Sequence, residues 1–400
     1  MTYAFLRTGF ALACAFVVTA APLAAFETKA RAAYILDQTT GTVLLEKNAD
    51  EPLPPASMSK LMTIYMAFEA ISQGVLQIDE RLPVSSDAAA YGGSTMFLDT
   101  TDRVTVEDLL RGVIVLSGND ASAVLAEALS PDGTEAGFAR RMTERGRQMG
   151  LTNSTFTNSN GWPATNHRMS MRDLGTLADR LIADFPTYYP LFAETEFPFD
   201  GRAPANSRNR NPLLNLGIGA DGLKTGHTQE AGYGLVGSAK QGERRVIFVL
   251  TGMNSVQERA EEAEKIVNWA FRQFAQRDIV DEGTMIAEAE VWMGDVPTVG
   301  LSVGEDVSLL VPVANQSSLD AEVIYTGPLE APIRAGQEVA ELVITLEDLP
   351  KHRVPLVAAS DVARGGFNSR IRVAADVLWS KFGPASGAQD AAQDSAEDDS

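Results

Sequence analysis

The pattern of hydrophobic residues changes near Asp278 and divides the chain into two folding units. From Asp278 to about Ala363, short segments of alternating apolar and polar residues are separated by Gly, Pro, Asp and Asn. Examples are Ala287–Trp292, Val307–Val311 and Glu341–Ile344. Such alternation is typical of half-buried strands, whereas the region before Asp278 mixes strand-like runs with helix-length apolar runs. The sequence therefore predicts a mixed α+β unit over 26–277 and a small all-β, sandwich-like unit over 278–363.

Local signals predict the main elements of the first unit. A Thr-Thr-Gly-Thr turn between two apolar runs predicts a hairpin over Ala33–Glu46. Helices are predicted from Ser57 to about Ser72, from Thr105 to about Leu116, after Asp120, and in a long run that ends near Gln276. Two strands are predicted just before that last helix, at Gly232–Ala239 and Arg245–Thr251.

Composition excludes several classes of protein and site. The net charge is −20 over 400 residues, and this acidic balance argues against nucleic-acid binding, which needs clustered Lys and Arg. The one cysteine, Cys14, can form neither an internal disulfide nor a cysteine-based zinc site. The three histidines, His167, His227 and His352, are too scattered to suggest a metal centre.

Residues 1–25 have the pattern of a secretory signal peptide. Arg7 precedes an apolar, Ala-rich run over Phe10–Val18, and small residues follow up to a plausible cleavage site after Ala25. An uncleaved membrane anchor is the alternative, but the apolar run is shorter than the ~20 residues that a membrane-spanning helix needs. The sequence therefore predicts an exported protein of bacterial type.

The end of the chain predicts two further segments. Over 364–383, apolar residues recur at helical spacing and basic residues give a local charge of +3, which predicts an amphipathic helix on an anionic membrane surface. The apolar positions are Phe367, Ile371, Ala374, Leu378 and Phe382. A terminal helix packed on its own domain is the alternative. Residues 384–400 are acidic, small and polar, and predict a disordered tail.

The first of three candidate catalytic motifs is Ser57-Met58-Ser59-Lys60, at the start of a predicted helix. Residues three apart share a helix face, so Lys60 can reach the hydroxyl of Ser57. A serine hydroxyl becomes a useful nucleophile when a base removes its proton, and a lysine can do this if burial or nearby cations lower its pKa. Alone, the motif is expected by chance about once in a chain of this length.

Two tripeptides strengthen this interpretation. Ser117-Gly118-Asn119 lies between two predicted helices, where a hydroxyl and a carboxamide can relay a proton and bind a substrate. Lys224-Thr225-Gly226 precedes the strand pair, where the ammonium and hydroxyl can hold a carboxylate and Gly226 lets a substrate approach the strand edge. Each tripeptide has a chance expectation of roughly 0.1 per chain, so all three motifs in this order form a specific signal.

The three motifs resemble those of penicillin-binding proteins and related β-lactamases. The chain as a whole, from Phe26 to Gly383, resembles the low-molecular-mass penicillin-binding proteins of the D-alanyl-D-alanine carboxypeptidase type. The strings that carry this resemblance, besides the motifs, are Tyr34–Asp37, Ser94–Leu98, Leu109–Gly112, Asn209–Asn211 and Asp221–Thr228. The resemblance implies a catalytic domain over 26–277 with an antiparallel sheet flanked by helices, then the β-rich domain and a membrane-associated helix.

The resemblance also implies a role for each motif residue. Ser57 is the expected nucleophile, Lys60 the general base, Ser117 the proton relay and Asn119 a ligand of the substrate amide. The expected substrate-binding residues are Lys224, Thr225, Gly226, His227 through its backbone N–H, Arg210 and Arg259. The segment Phe156–Trp162 resembles a family loop near the site, in which His is common where Asn160 stands here. The part that this loop plays in deacylation is therefore left open.

The implied substrate is the peptidoglycan stem pentapeptide, with β-lactams as acylating inhibitors and no metal or cofactor. The implied location is the periplasm, on the outer face of the inner membrane. Alternatives are a D,D-endopeptidase that cuts cross-links, a β-lactamase, and a non-catalytic peptidoglycan-binding scaffold. A class A β-lactamase usually has Asp where Gly118 stands and a Glu-x-x-Leu-Asn loop, which we do not find here.

Overall fold

The computed structural model describes residues 26–313, 319–345 and 351–366. The predicted signal peptide (1–25), the predicted acidic tail (384–400) and all but the first three residues of the predicted amphipathic helix lie outside these ranges. No helix within them is long and apolar enough to cross a membrane.

The strands of the first unit are β1 (Ala32–Asp37), β2 (Thr42–Lys47), β3 (Arg81–Pro83), β4 (Arg103–Thr105), β5 (Ala220–Thr228), β6 (Gly232–Gln241) and β7 (Arg244–Met253). Five of them form a central antiparallel sheet in the order β2-β1-β7-β6-β5, and β3 pairs with β4 separately. The α-helices are α1 (Lys60–Ser72), α2 (Ser86–Ala89), α3 (Val106–Arg111), α4 (Asn119–Leu129), α5 (Glu135–Gln148), α6 (Met171–Asp184) and α7 (Val256–Gln273).

The sheet separates two apolar cores, because side chains alternate between its faces. On β1, Tyr34 joins the larger core under α1, α4 and α6, whereas its neighbour Ile35 joins the core covered by α7. On β7, Val249 and Phe248 divide in the same way. The predicted catalytic unit, an antiparallel sheet flanked by helices, is therefore confirmed.

Most predicted elements of this unit are present, with informative differences. The hairpin, the strand pair and the helix that ends at Ser72 are confirmed. The helix predicted from Thr105 to Leu116 starts as α3 but finishes in a π-turn over Gly112–Leu116. After this wider turn, Ser117 adopts a left-handed backbone, with φ of 62°. The π-turn thus reorients the chain just where a candidate motif begins.

The second unit is all β. Its strands are β8 (Phe274–Val280), β9 (Met285–Trp292), β10 (Thr298–Val303), β11 (Val307–Pro312), β12 (Asp320–Ile324), β13 (Leu329–Glu330), β14 (Glu338–Thr345) and β15 (His352–Ala358). One sheet has the order β12-β14-β15-β10-β9-β13, and β8 pairs with β11. Leu301 and Leu356 of the larger sheet share an apolar core with Leu309 of β11, as expected for a sandwich-like unit.

Two predicted boundaries are wrong. The last helix of the first unit ends at Gln273 rather than Gln276, because Phe274 is already a strand residue paired with Pro312. Strand β8 therefore crosses the predicted boundary between 277 and 278. The amphipathic helix predicted over 364–383 does not begin at Arg364, which forms an isolated β-bridge with Gly294. The remainder of that helix lies outside the described residues.

Candidate active site

Ser57 lies in a tight 3-10 turn, Ala56–Ser59, that leads directly into α1. Ala56 starts the turn with φ of +49°, a left-handed conformation that is unfavourable for residues other than glycine. Lys60 is the first residue of α1 and donates from Nζ to Ser57 Oγ at 2.8 Å. The expected i, i+3 contact between the predicted nucleophile and the predicted base is therefore present.

Three acceptors surround the Lys60 ammonium. Besides Ser57 Oγ, they are Asn119 Oδ1 at 2.7 Å and the backbone oxygen of Asn160 at 2.6 Å. Amide oxygens can only accept hydrogen bonds, whereas a hydroxyl can also donate. When Lys60 is neutral, its two N–H groups are committed to Asn119 and Asn160, and its lone pair faces Ser57. This arrangement suits removal of the Ser57 proton.

Burial makes Lys60 a candidate base at neutral pH. The side chain is fully buried, and burial lowers the pKa of its ammonium to about 7, with a further lowering from Arg210. The carboxylates of Asp120 and Glu135 oppose this shift. A base with a pKa near the working pH is present in its neutral form and still accepts a proton readily.

The side chains of Ser117 and Lys224 are in direct contact. Lys224 Nζ donates to Ser117 Oγ at 2.9 Å, and both side chains are buried. Burial lowers the pKa of Lys224 well below its usual range, and Lys60, Arg210 and Arg259 lower it further. A hydroxyl next to such an ammonium can exchange a proton with it, as the predicted relay requires.

The Asn119 side chain contacts Lys60 directly. Its Oδ1 accepts from Lys60, and its Nδ2 donates to Gly92 O at 2.8 Å. The Nδ2 group has two hydrogens, so this bond leaves one for a substrate carbonyl. The predicted contact with substrate stays a prediction, and the structure adds a second role, orientation of Lys60.

The Lys224-Thr225-Gly226 motif lies within β5, the edge strand of the sheet that directly precedes the predicted strand pair. A Cβ on Gly226 would lie 3.0 Å from Met58 Cγ and from Pro55 O, so glycine lets the strand pack against the turn that carries Ser57. Backbone groups of this edge strand are thereby brought beside the nucleophile.

His227 follows the motif with its side chain exposed. Its ring stacks on Tyr233 of β6, with centroids 3.9 Å apart. The Arg259 guanidinium lies 6.0 Å from the centroid of the same Tyr233 ring. The ring of His227 thus contributes to one wall of the cleft, and only its backbone N–H is the predicted donor to substrate.

Both predicted arginines line the cleft. It has a volume of about 450 Å³ and is lined by Ser57, Ser94, Ser117, Arg210, Thr225, Gly226, His227, Tyr233, Val256 and Arg259. Arg210 is exposed and donates to Ser94 Oγ at 2.6 Å. Arg259 is buried and donates to the backbone oxygen of Arg210 at 3.2 Å. Within the described part of the chain, no partner reaches Arg259 Nε. The cleft is therefore cationic and suited to an anionic group.

Three contacts at the site were not predicted from the sequence. Asn160 provides a backbone acceptor for Lys60, Asp120 is a buried carboxylate, and Glu135 bonds the turn before Asn160. Asp120 accepts from the backbone N–H groups of Met96 and Leu98 and so fixes the loop behind Ser94. No short motif marks these contacts, because each joins residues that are distant in sequence.

The other histidines take no part in the cleft lining. His167 is buried, accepts from the Thr157 backbone N–H at 3.1 Å, and has a pKa lowered to about 4, mainly by burial. His352 lies on β15 in the second unit. The described residues contain no group of three or more His, Cys, Asp or Glu side chains placed to hold a metal ion.

Comparison with known proteins identifies two family regions. Residues 17–255 match the D-alanyl-D-alanine carboxypeptidase family, and residues 274–364 match the family described as penicillin-binding protein 5, C-terminal domain. The second match begins at the first residue of β8.

Individual relatives agree with these matches. The D-alanyl-D-alanine carboxypeptidase DacC of Escherichia coli K12 is 36% identical over 92% of this chain and 95% of its own length. Penicillin-binding protein 5 of Haemophilus influenzae superposes with a TM-score of 0.73 at 33% identity, over 84% of this chain and 98% of that one. Penicillin-binding protein D2 of Listeria monocytogenes, solved in its ampicillin-bound form, gives a TM-score of 0.55 at 30% identity over 61% and 98%. The chain therefore belongs to the D-alanyl-D-alanine carboxypeptidase family of penicillin-binding proteins.

Proposed function

We propose that this chain removes the terminal D-alanine of peptidoglycan stem pentapeptides through an acyl-enzyme on Ser57. The observation that carries the proposal is the 2.8 Å contact between Ser57 Oγ and Lys60 Nζ, on a lysine that is fully buried. Family membership gives the reaction class, and this contact gives the serine with an adjacent base.

In the acylation step, Ser57 Oγ attacks the carbonyl carbon of the penultimate D-alanine and Lys60 takes the hydroxyl proton. The backbone N–H groups of Ser57 and His227 stabilise the oxyanion, where loss of one donor typically costs about 3–4 kcal/mol of barrier. The peptide bond then breaks, and the proton held by Lys60 passes through the hydroxyl of Ser117, which is in contact with Lys224, to the leaving nitrogen, so that Lys60 is neutral again. Free D-alanine leaves, and Ser57 retains an ester.

In the deacylation step, a water molecule attacks the ester carbon and its proton passes to Lys60. The ester bond breaks, Ser57 regains its hydroxyl proton, and the tetrapeptide leaves. Lys60 thus accepts a proton in each step and returns it afterwards. A single group can do both when its pKa lies near the working pH. No step requires a metal or cofactor.

The terminal carboxylate of the substrate explains the cations of the cleft. Thr225 supplies a hydroxyl on the edge strand, and Arg210 and Arg259 supply charge in the same cleft. Lys224 adds positive charge beside Ser117, because its ammonium donates a hydrogen bond to the Ser117 hydroxyl. Charge-assisted bonds of this kind are the strong ones in carboxylate recognition.

We also propose that β-lactams acylate Ser57. Support comes from the relative in its ampicillin-bound form, whose structure matches 61% of this chain with a TM-score of 0.55. An intact-mass measurement after incubation with a penicillin tests this point. We expect the mass to increase by one penicillin in the wild type and to stay unchanged in Ser57→Ala.

The location and domain arrangement form a further part of the proposal. A signal peptide over 1–25 directs export to the periplasm, the catalytic domain spans 26–273, and the β-rich domain, which begins with β8 at Phe274, spaces it from the inner membrane. A helix within 364–383 then binds the membrane surface peripherally, followed by the acidic tail over 384–400. Removal of the chain from Arg364 onwards should release the protein from membranes, and unchanged membrane association of that truncation would contradict the anchor.

Product analysis separates the carboxypeptidase from the endopeptidase alternative. Purified protein is incubated with monomeric pentapeptide and, separately, with a D-Ala–diaminopimelate cross-linked dimer. We expect conversion of the pentapeptide to tetrapeptide and little cleavage of the dimer. Cleavage of the dimer alone would assign the same Ser57 machinery to cross-links.

A further inference from the structure

Glu135 lies outside the three motifs, yet its carboxylate contacts two loops that lie next to Lys60. It is the first residue of α5, half-buried, and far in sequence from Lys60. Its Oε1 accepts from the backbone N–H of Ser159 at 2.9 Å and from Ser159 Oγ at 2.5 Å. Its Oε2 accepts from the Tyr91 hydroxyl at 2.5 Å. One carboxylate thus joins two loops that come from different parts of the chain.

The first loop places one acceptor of Lys60. Ser159 precedes Asn160, whose backbone oxygen accepts from Lys60 Nζ at 2.6 Å. A longer contact of 3.4 Å joins Asn160 Nδ2 to Glu135 Oε1. The carboxylate therefore holds the peptide whose oxygen defines one direction of the Lys60 ammonium.

The second loop places the other acceptor. Tyr91 precedes Gly92, whose backbone oxygen accepts from Asn119 Nδ2 at 2.8 Å, and Asn119 Oδ1 accepts from Lys60. Burial, and then the Glu135 carboxylate, raise the pKa of Tyr91, so its hydroxyl stays protonated and remains a donor. Both amide acceptors that direct the Lys60 lone pair towards Ser57 are therefore braced from Glu135.

The charge of Glu135 also acts on Lys60. Its carboxylate favours the ammonium form and raises the pKa of Lys60, as Asp120 of α4 does, whereas Arg210 lowers it. Lys224 is the neighbouring cation on β5, and His167, with a pKa of about 4, is neutral around pH 7. Glu127 of α4 is an acidic group that faces Glu135 itself.

We propose that Glu135 is a positioning residue for acylation, which holds the Asn160 and Asn119 acceptors around Lys60 through the Ser159 turn and Tyr91. The inference rests on the proposed function, because it assumes that Lys60 is the base for Ser57. A purely structural brace would change stability alone. A brace that also sets the charge around the base changes the dependence of acylation on pH.

The test measures the acylation rate by a fluorescent penicillin across neutral pH in the full chain. Glu135→Gln keeps the size but removes the charge, and Glu135→Asp keeps the charge but shortens the reach. Glu144→Gln is the matched control, because Glu144 lies exposed on the same helix. Thermal unfolding of each variant shows that the protein measured is folded.

We expect Glu135→Gln to acylate about tenfold more slowly at the plateau, with its acidic limb moved to lower pH, because Lys60 loses a favourable carboxylate and gives up its proton sooner. Glu135→Asp should lose a similar factor in rate while its acidic limb stays in place. Glu144→Gln should match the wild type in both.

The inference is overturned if folded Glu135→Gln has the plateau rate of Glu144→Gln, or if its acidic limb does not move. If Glu135→Gln does not fold, the comparison of Glu135→Asp with the wild type decides, and an unchanged plateau rate overturns it. Failure of the proposed function looks different, because the wild type itself would then not be labelled, or Ser57→Ala would be labelled as well.

Discussion

Lys224 Nζ lies 2.9 Å from Ser117 Oγ, with both side chains buried and the two residues 107 positions apart in the chain. The contact joins the π-turn after α3 to the edge strand β5 across the back of the cleft. A buried ammonium requires acceptors, and Ser117 is one of those that Lys224 has. The hydroxyl is therefore both a structural partner and a candidate proton relay.

Replacement of Ser117 by Ala should slow acylation by about 10²-fold, because the leaving nitrogen loses its proton donor. The measurement is single-turnover release of D-alanine. Ser122→Ala is the matched control, since Ser122 is also buried but its hydroxyl has no hydrogen-bond partner among the described residues. A Ser117→Ala rate equal to that of the control would remove Ser117 from the mechanism.

The acylation rate should rise with pH through about 7, where Lys60 loses its proton. The rate rises rather than falls because only the neutral amine can accept the Ser57 proton, so the protonated form below this pH is inactive. Lys60→Arg should be slower by about 10²-fold or more across the range, because guanidinium does not deprotonate.

Lys240→Arg on the exposed end of β6 provides the control for that series. Stopped-flow labelling with a fluorescent penicillin gives both profiles. A wild-type profile that is flat through pH 7 would contradict the assignment of Lys60 as the titrating base.

Gly161 should tolerate no side chain. It has φ of +83°, and an added Cβ would lie 1.9 Å from the backbone oxygen of Ala56, next to the nucleophile. Gly161→Ala should therefore lower both stability and acylation. Gly150→Ala is matched in conformation, with φ of +86°, but its Cβ would have nothing within 4 Å.

The control should lose only the conformational cost of a left-handed residue, about 1–2 kcal/mol of unfolding free energy. Chemical denaturation and penicillin labelling of both variants give the comparison. Equal losses in the two proteins would show that the contact with Ala56 is unimportant.

The stability of the first unit should depend strongly on Arg244. This buried residue donates to Asp37 and to the backbone oxygens of Phe274 and Ala270, so it ties β1, α7 and the start of β8 together. Arg244→Ala leaves Asp37 buried without its ion-pair partner and should cost about 3–5 kcal/mol of unfolding free energy.

The exposed pair Arg353–Glu341 is the contrast, because water screens it. Arg353→Ala should cost at most about 1 kcal/mol. Urea denaturation checks both values. If Arg244→Ala lost less unfolding free energy than Arg353→Ala, the ion pair between Arg244 and Asp37 would contribute nothing to folding.

Residues that act through local geometry were predictable from the sequence. Ser57 and Lys60 are three positions apart at a helix start, so their contact follows from the helix period alone. The two units were also predictable, because the pattern of hydrophobic residues changes near Asp278 from mixed helix-like and strand-like runs to short alternating segments. Helix ends were less so, because the end at Gln273 depends on a strand partner, Pro312, that no local signal reveals.

Residues that act through contacts distant in sequence could not be predicted in this way. Asn160 serves through its backbone oxygen, so its side chain carries no signal for the contact with Lys60. Glu135 begins a helix, where an acidic residue is expected for the helix dipole alone. Its bonds to Tyr91 and Ser159 emerge only when three parts of the chain come together.

We propose that Ser57 releases D-alanine from a D-Ala-D-Ala terminus. The experiment that tests this proposal measures free D-alanine after incubation of a Lys-D-Ala-D-Ala peptide with the purified protein, beside Ser57→Ala. We expect release by the wild type and none by the variant. Release by neither protein, or equal release by both, would contradict it.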